Sequence, residues 1–323
     1  MDKEKNIFKI LDMYYNEEMS QDKIAKSMGI SRPAVSRLIK KAKDDGLVKV
    51  VINYPVGSSI ELEKKLQEKY GLKEAIVSVK DDNTTVEYGV FTAGAEFMKR
   101  NITDNMTVGI TWSRSIKGVV ERFQNIWDKS CSNVSVVSFI GSSGNPDYSD
   151  EEFMMTYSNI IAYKLGEILR AKTLHMFAPM KVSSEEIRKI FENESQIASV
   201  LEKAKHSDIA IIGIGDVSKD SSIVRAGIMT EGEMETLRNL GGEGEVISRI
   251  FDKNGKDIDC ELNRRTVGLE IDDLKKVPIR VGISYGENKV SAIRSAIVGE
   301  IINVLITDDN TAIELLKDWV FRG

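Results

Sequence analysis

From Ala75 to the C-terminus, short β-branched runs alternate with segments of helical periodicity, and few architectures accept that rhythm. The strands read from it are Ala75–Val79, Thr107–Ile110, Val134–Ile140, Thr173–Met176, Ile209–Gly213, Ile279–Ser284 and Val304–Ile306. Helical periods fill most of the gaps: Val86–Arg100, Ser115–Phe123, Asp150–Leu169, Ile197–Ala204, Lys289–Val298 and Ala312–Trp319. Alternation of this kind builds α/β units around a mainly parallel sheet. One β feature interrupts it. Val246–Phe251 reads as a strand and Asp252-Lys253-Asn254-Gly255 as the hairpin turn after it, since Asn-Gly takes the positive φ angles of a tight turn. The longest nearly pure apolar stretch, Ile209–Ile214, is far short of the ~20 residues that cross a bilayer, so no membrane partner is expected.

The rhythm before Ala75 is different. Three helices follow from the spacing of apolar residues: Lys5–Tyr15 with Ile7, Ile10, Leu11 and Tyr14 on one stripe; Gln21–Met28 with Ile24, Ala25 and Met28 inward; and Arg32 to about Asp45 with Val35, Leu38, Ile39 and Ala42 inward. Ser20 and Ser31 stand where helix N-caps belong, Pro33 falls in a first turn where its missing N–H costs nothing, and Gly29 supplies a sharp turn. Ile30 is expected to plug the core between the helices. Leu47–Ile52 reads as a strand, the start of a wing. Pro55–Ser59 is a turn-rich linker to a helix over Ile60–Tyr70, which Gly71 stops. A chain of 323 residues fits two domains, here 1–55 and 56–323.

Charge separates the same two regions. The formal net charge of −5 argues, taken whole, against a nucleic-acid binder. Residues 1–54 nevertheless hold 11 Lys and Arg against 8 Asp and Glu, a net of +3, which leaves −8 on the remainder. Lys23 to Lys43 carries seven basic residues and no acidic one. A solvated helix face mixes signs, so this run marks a polyanion-binding module.

Ser20 to Arg37 has the form of a helix-turn-helix, whose third helix enters the major groove of double-stranded operator DNA. Gln21, Lys23, Ser31, Arg32, Pro33, Ser36, Arg37 and Lys40 are the DNA-contacting candidates. Arg32 and Arg37 suit guanine, Ser36 suits either base type, and Lys23, Lys26, Lys40 and Lys43 suit phosphates. The bland alternative is a three-helix bundle with a basic surface that binds protein.

In the larger region, several strands end in small or polar residues before a helix: Gly109–Ser115, Gly141–Gly144, Gly213–Asp216 and Tyr285–Lys289. Open α/β sheets bind ligands beyond the carboxyl ends of their strands, and helix starts there favour anions. A glycine at a strand end is more often only a turn, but four such loops together point to a small-ligand site. There is no GxxxxGK[ST] loop and no complete GxGxxG, and the two histidines, His175 and His206, have no metal-binding partners in register. No cofactor, metal or catalytic residue is expected. Asp308-Asp309 reads as a helix N-cap with a first-turn acid. The charged N-terminus lacks an apolar export signal, and Cys131 and Cys260 form no CxxC pair, so a reducing cytoplasm is the expected compartment.

These features together resemble the SorC family of sugar-binding transcriptional regulators. The resemblance runs through the helix-turn-helix, Val108–Trp112, Asp208–Gly215, Glu245–Asp252, Leu262–Leu269, Lys289–Ile293 and Ile302–Asp308. It implies a winged helix-turn-helix followed by a Rossmann-like α/β effector domain similar to sugar-phosphate isomerases and deaminases, used for sensing instead of turnover. It also implies a homodimer or homotetramer whose grip on DNA is tuned by a sugar or sugar phosphate. Carried over by position, the phosphate would meet Ser113, Arg114, Ser115, Gly141 and Ser142, with Glu245, Lys289 and Asn159 also facing the effector. Two departures from the family pattern stand out: Arg114 occupies a turn that usually holds small and hydroxyl residues, and Ile140 stands where a basic residue is common. Arg114 then supplies the charge that Ile140 does not. Two competing readings are an active sugar-phosphate isomerase or deaminase with a fused DNA-binding domain, and a constitutive DNA binder whose large domain serves assembly alone.

Overall fold

The architecture was obtained as a computed structural model, which describes residues 2–48, 59–80, 84–142 and 154–317, with side chains from residue 6 onward. The chain divides into two compact units, Met1–Pro55 and Val56–Gly323.

In the first unit, α1 (Asp2–Tyr15), α2 (Gln21–Met28) and α3 (Arg32–Asp44) close on Ile10, Leu11, Ile24, Ala25, Val35, Ile39 and Ala42. The Ser20 hydroxyl accepts the Lys23 amide at 3.4 Å and caps α2. Gly29 ends that helix with φ +64°, while the Ile30 amide returns to the Ala25 carbonyl. Two expectations change. Ile30 does not plug the core but is 38% exposed. Ser31 takes the cap backbone of α3, yet its hydroxyl makes no capping bond. The wing falls almost wholly on residues outside the described ones.

The second unit runs α4 (Ser59–Tyr70), β1 (Glu74–Ser78), α5 (Val86–Asn101), β2 (Thr107–Ile110), α6 (Arg114–Ile126), β3 (Ser135–Ser138), α7 (Ser158–Leu169) and β4 (Lys172–Leu174). Next come α8 (Glu185–Asn193), α9 (Ser195–Lys205), β5 (Ile209–Gly213), β6 (Gly215–Asp216), α10 (Ser222–Arg225), α11 (Glu231–Asn239), β7 (Gly244–Val246) and β8 (Arg249–Phe251). The chain finishes with α12 (Glu261–Arg265), α13 (Ile271–Leu274), β9 (Ile279–Ile283), a 3₁₀ turn Glu287–Lys289, α14 (Val290–Val298), β10 (Val304–Asp308) and α15 (Asp309–Leu316).

Among the described residues, seven strands form a parallel sheet in the order β1-β10-β9-β5-β2-β3-β4. The run Ile209–Gly213 is apolar throughout because both faces of this sheet are covered. Ile209 and Ile211 pack with α5, α6 and α7 on one side, while Ala210 and Ile212 pack with α4, α14 and α15 on the other. From β2 the chain goes on to β3 and β4; from β5 it goes on to β9 and β10, on the opposite side. The adjacent pair β2 and β5 is therefore the point where the winding reverses, and a crevice opens beyond their carboxyl ends.

Three local readings are corrected. The expected strand Val246–Phe251 is two strands, β7 and β8, joined by a tight turn at Ile247 and Ser248 with φ of +48° and +57°. Asp252–Lys256 also turns, with Gly255 at φ +67°, but it leads only to a single bridge from Phe251 to Asp257. The helix expected over Asp150–Leu169 is interrupted: Met154 is helical, but Tyr157 is extended and α7 begins at Ser158, whose hydroxyl donates to the Ile140 carbonyl at 3.0 Å. Residues 150–153 of that expectation lie outside the described ones, as do the last two of Ala312–Trp319. Asp308 does cap α15, accepting the Thr311 amide at 3.0 Å, and Asp309 follows in the first turn.

Candidate functional site

The chain leaves β2 through Thr111, Trp112 and Ser113 and enters α6 at once. Ser113 is fully extended (φ −179°), and its hydroxyl accepts the Ser115 amide at 3.1 Å. Its own amide donates to the Thr156 carbonyl at 3.2 Å, and the end of β5 presses on it from the other side. A Cβ on Gly213 would lie 2.5 Å from the Ser113 hydroxyl, so this close approach needs a glycine. The result is a fixed N-terminus on a thirteen-residue helix, where unpaired amides and the helix dipole attract anions.

A cavity of about 840 Å³ opens above that N-terminus. Ser113, Arg114 and Ser115 line it from α6, Tyr285 to Lys289 from the loop after β9, and Glu87 and Phe91 from α5. Arg114 is exposed there and Lys289 half-buried. Burial pushes the Lys289 ammonium below the usual lysine range; Asp216 and Glu245 act against that and Arg114 with it. Tyr285 is pushed up to about 12, first by burial and then by Glu87, so its phenol stays protonated.

Ser113, Arg114, Ser115 and Lys289 thus converge on one cavity. Gly141, Ser142, Asn159 and Glu245 are absent from its described lining. The Gly141 amide donates to the Val267 carbonyl at 3.1 Å and the Ser142 amide to the Ala178 carbonyl at 3.0 Å, so neither is open to a phosphate. Asn159 donates to the Ser142 hydroxyl and the Met176 carbonyl, both at 3.0 Å, and accepts the Met176 amide. These three residues fasten the β3 end to the segment after β4. Ile140 is fully buried in an apolar cluster.

Glu245, on β7, is sealed beneath the site. One carboxylate oxygen accepts the Ser248 amide from the tight turn, and the other faces Gly215, where a Cβ would come within 2.8 Å. Desolvation raises its pKa to about 7, against the pull of the Ser248 amide and Lys289; Asp216 adds to the rise. Phe91, Glu87 and Arg225 line the cavity beside Tyr285 without having been singled out from the sequence. Only Tyr285 had a signal, its place in a polar loop at a strand end.

In the first unit, Arg32, Pro33, Ser36, Arg37 and Lys40 all lie on the exposed face of α3, opposite buried Val35, Ile39 and Ala42. Ser31 and Lys23 are exposed and Gln21 half-buried. The Arg32 guanidinium lies 3.7 Å from Asp22, an exposed pair that costs DNA little to break.

Known proteins agree with both units. The family described as "Putative sugar-binding domain" matches residues 54–317, and the family of sigma-70 region 4 matches residues 8–44. The deoxyribonucleoside regulator of Bacillus subtilis is 30% identical over 322 residues, covering 98% of this chain and all of the relative. The sorbitol operon regulator of Klebsiella pneumoniae is also 30% identical, covering 96% of this chain and 97% of its own. The crystal structure of the full-length sorbitol operon regulator SorC from Klebsiella pneumoniae superposes with a TM-score of 0.74 at 27% identity, over 98% of this chain and 100% of that one. A helix-turn-helix at one end and a sugar-binding domain over the rest, shared along whole chains with named regulators, place this chain in the SorC family of sugar-binding transcriptional regulators.

Proposed function

We propose that this chain binds operator DNA through α3 and releases or tightens that grip when a sugar phosphate occupies the cavity above α6. The observation that carries the effector half is the meeting of a fixed helix N-terminus with Arg114 and Lys289 in one cavity. A helix start offers amides and a positive dipole end, and a guanidinium adds bidentate pairing to phosphate oxygens. Arg114 in this reading stands in for the charge that buried Ile140 does not provide. The effector acts by binding the DNA-competent and DNA-incompetent states with different affinity.

Ser113, Arg114, Ser115 and Lys289 are the direct effector contacts in this reading. Gly141, Ser142 and Asn159 act as scaffold, and Glu245 acts through Lys289. Arg32, Ser36 and Arg37 read bases; Gln21, Lys23, Ser31, Pro33 and Lys40 position the backbone. A single recognition helix reads one half-site, so the working form has at least two copies, as a homodimer or homotetramer. It works in the cytoplasm, beside its DNA; among the described residues no helix is long and apolar enough to cross a membrane. It does not turn its ligand over, in keeping with relatives named as regulators.

Fluorescence anisotropy of the full chain on its own promoter DNA, with and without a panel of free and phosphorylated sugars, tests the reading. A phosphorylated sugar that shifts the DNA affinity in the wild type and not in Arg114→Ala supports it; an unchanged response in Arg114→Ala refutes the assigned phosphate end. Steady conversion of any panel member at an enzyme-like rate refutes the sensor-only role.

A further inference from the structure

The cavity has an apolar side next to its anion-binding end. Val86 and Phe91 from α5, Gly118 from α6 and Tyr285 after β9 form that side. A Cβ on Gly118 would lie 2.3 Å from the Phe91 ring, so the bare glycine is what lets that ring close against α6. Phe91 and Tyr285 then meet edge to face, with centroids 6.0 Å apart at 68°, and both remain half-buried. The Tyr285 phenol lies close enough to Ser115, in the first turn of α6, for that side chain to act on its ionisation. The aromatic wall therefore begins where the anion-binding end stops.

Charge limits the ligand from the other direction. Arg114, Lys117, Arg225 and Lys289 in the described lining are balanced by Glu87, Glu121, Glu287 and Asp308. Lys117 and Glu121 sit 3.6 Å apart, and Asp308 accepts the Gly286 amide at 3.2 Å and the Thr311 hydroxyl. With no net charge to spare, the cavity attracts one phosphate to the local positive potential of Arg114, Lys289 and the start of α6, and repels a second one placed toward Glu87 and Glu287.

We infer that the cavity selects a singly phosphorylated ligand whose ring lays an apolar face on Phe91 and Tyr285, with its phosphate at the start of α6. The C–H face of a closed sugar ring meets that description, and an open-chain polyol or a bisphosphate does not. The inference rests on the phosphate end proposed above, and simple probes separate the two. The full chain is titrated with methyl phosphate, phenyl phosphate and hydroquinone bisphosphate by calorimetry or ligand-observed NMR.

Phenyl phosphate is expected to bind about tenfold more tightly than methyl phosphate, equivalent to ~1.4 kcal/mol. The bisphosphate is expected to bind no more tightly than phenyl phosphate. Phe91→Ala should erase the phenyl preference while leaving methyl phosphate unchanged, and Tyr285→Phe, which keeps the ring, should retain it. Equal affinity of the wild type for methyl and phenyl phosphate overturns the aromatic wall and leaves the phosphate end standing. A tighter bisphosphate overturns the single-phosphate limit. No binding by any of the three removes the phosphate end, and this inference falls with it.

Discussion

Replacing Glu245 with glutamine should stabilise the larger unit more at pH 8 than at pH 5. Glu245 is only 8% exposed, and its folded pKa is about 7 against an ordinary value of 4.5. Below about pH 4.5 the group is neutral folded and unfolded, and contributes nothing. Between there and about 7 the unfolded chain gives up the proton while the folded one keeps it, so stability falls as pH rises. At ~1.36 kcal/mol per pH unit the full loss approaches about 3 kcal/mol, and it is complete above pH 7. Glutamine cannot ionise, so Glu245→Gln should show no such slope. Its net gain at pH 8 is smaller than the full loss, because the variant must house an amide N–H₂ where the carboxyl sits beside the Ser248 amide; about 1–2 kcal/mol is the expected remainder. Trp112, Trp127 and Trp319 all belong to the unit Val56–Gly323, so tryptophan fluorescence during urea unfolding follows that unit alone. Wild-type stability that stays flat between pH 5 and 8, or a glutamine variant that keeps the slope, refutes the reasoning.

Four other substitutions separate the roles assigned to individual residues. Arg37→Ala should relax the choice of operator sequence at a cost of about 1–3 kcal/mol, whereas Lys40→Ala should weaken all sequences alike and flatten the log–log salt slope by about 0.9; binding to operator and scrambled DNA across a salt series distinguishes them. Gly213→Ala drives a methyl group to within 2.6 Å of the Ser113 Cβ, so α6 must shift. It should cost about 1–3 kcal/mol and abolish the effector response while DNA binding survives, measured by denaturation and anisotropy. Arg249→Ala strips a 2%-exposed guanidinium from the carbonyls of Leu269, Asn263 and Thr266 and from Glu270, and should destabilise the larger unit by about 3–5 kcal/mol in the same urea assay.

What the sequence disclosed and what it hid follow from the range of the forces involved. Ser20, Gly29 and the stripe Val35, Ile39, Ala42 act over one or two helical turns, so the helix-turn-helix is readable in the order of its residues. The run Ile209–Gly213 is readable because burial on both faces demands an apolar residue at every position. The Ile247–Ser248 turn is hidden, since neither residue favours a positive φ and Ile247 is β-branched. Distant groups hold it there: the Thr266 hydroxyl bonds the Ser248 carbonyl at 3.2 Å, and the Ser248 hydroxyl lies 3.1 Å from the Met180 sulfur. The packing around Gly141 is hidden for a related reason. That residue's lack of a side chain serves close contact with the carbonyls of Ala178 and Pro179, where a Cβ would come within 2.5 and 2.7 Å, and a sequence does not say which neighbour a glycine is bare for. The cavity's aromatic side is hidden as well, because Phe91 and Tyr285 meet only through the parallel sheet that brings α5 beside the end of β9.

That sheet also explains why a ligand in the cavity should move protons. Only Ile214 separates β5 from β6, so the small antiparallel sheet is tethered at the carboxyl edge of the large one and carries Asp216 and Glu245 to Lys289. The Lys289 ammonium lowers the cost of ionising Glu245, while Asp216 raises it. An anionic ligand arriving at Lys289 adds negative potential at the same place and takes up part of that ammonium's attraction, so the Glu245 carboxyl is driven further toward its neutral form. Because its resting pKa is about 7, a sizeable fraction is ionised at pH 7.5 and must take up a proton as the ligand binds. Affinity for a phosphorylated ligand should therefore rise as pH falls from 8.5 toward 7, beyond any change in the ligand's own ionisation. The heat of binding at pH 7.5 should also differ between phosphate-free buffers of high and low ionisation enthalpy. Glu245→Gln should diminish both effects, since it removes the carboxyl that titrates in this range. A wild-type heat that does not depend on the buffer shows that Glu245 keeps its protonation state when the cavity fills, and breaks the electrostatic link from the ligand through Lys289 to the second sheet.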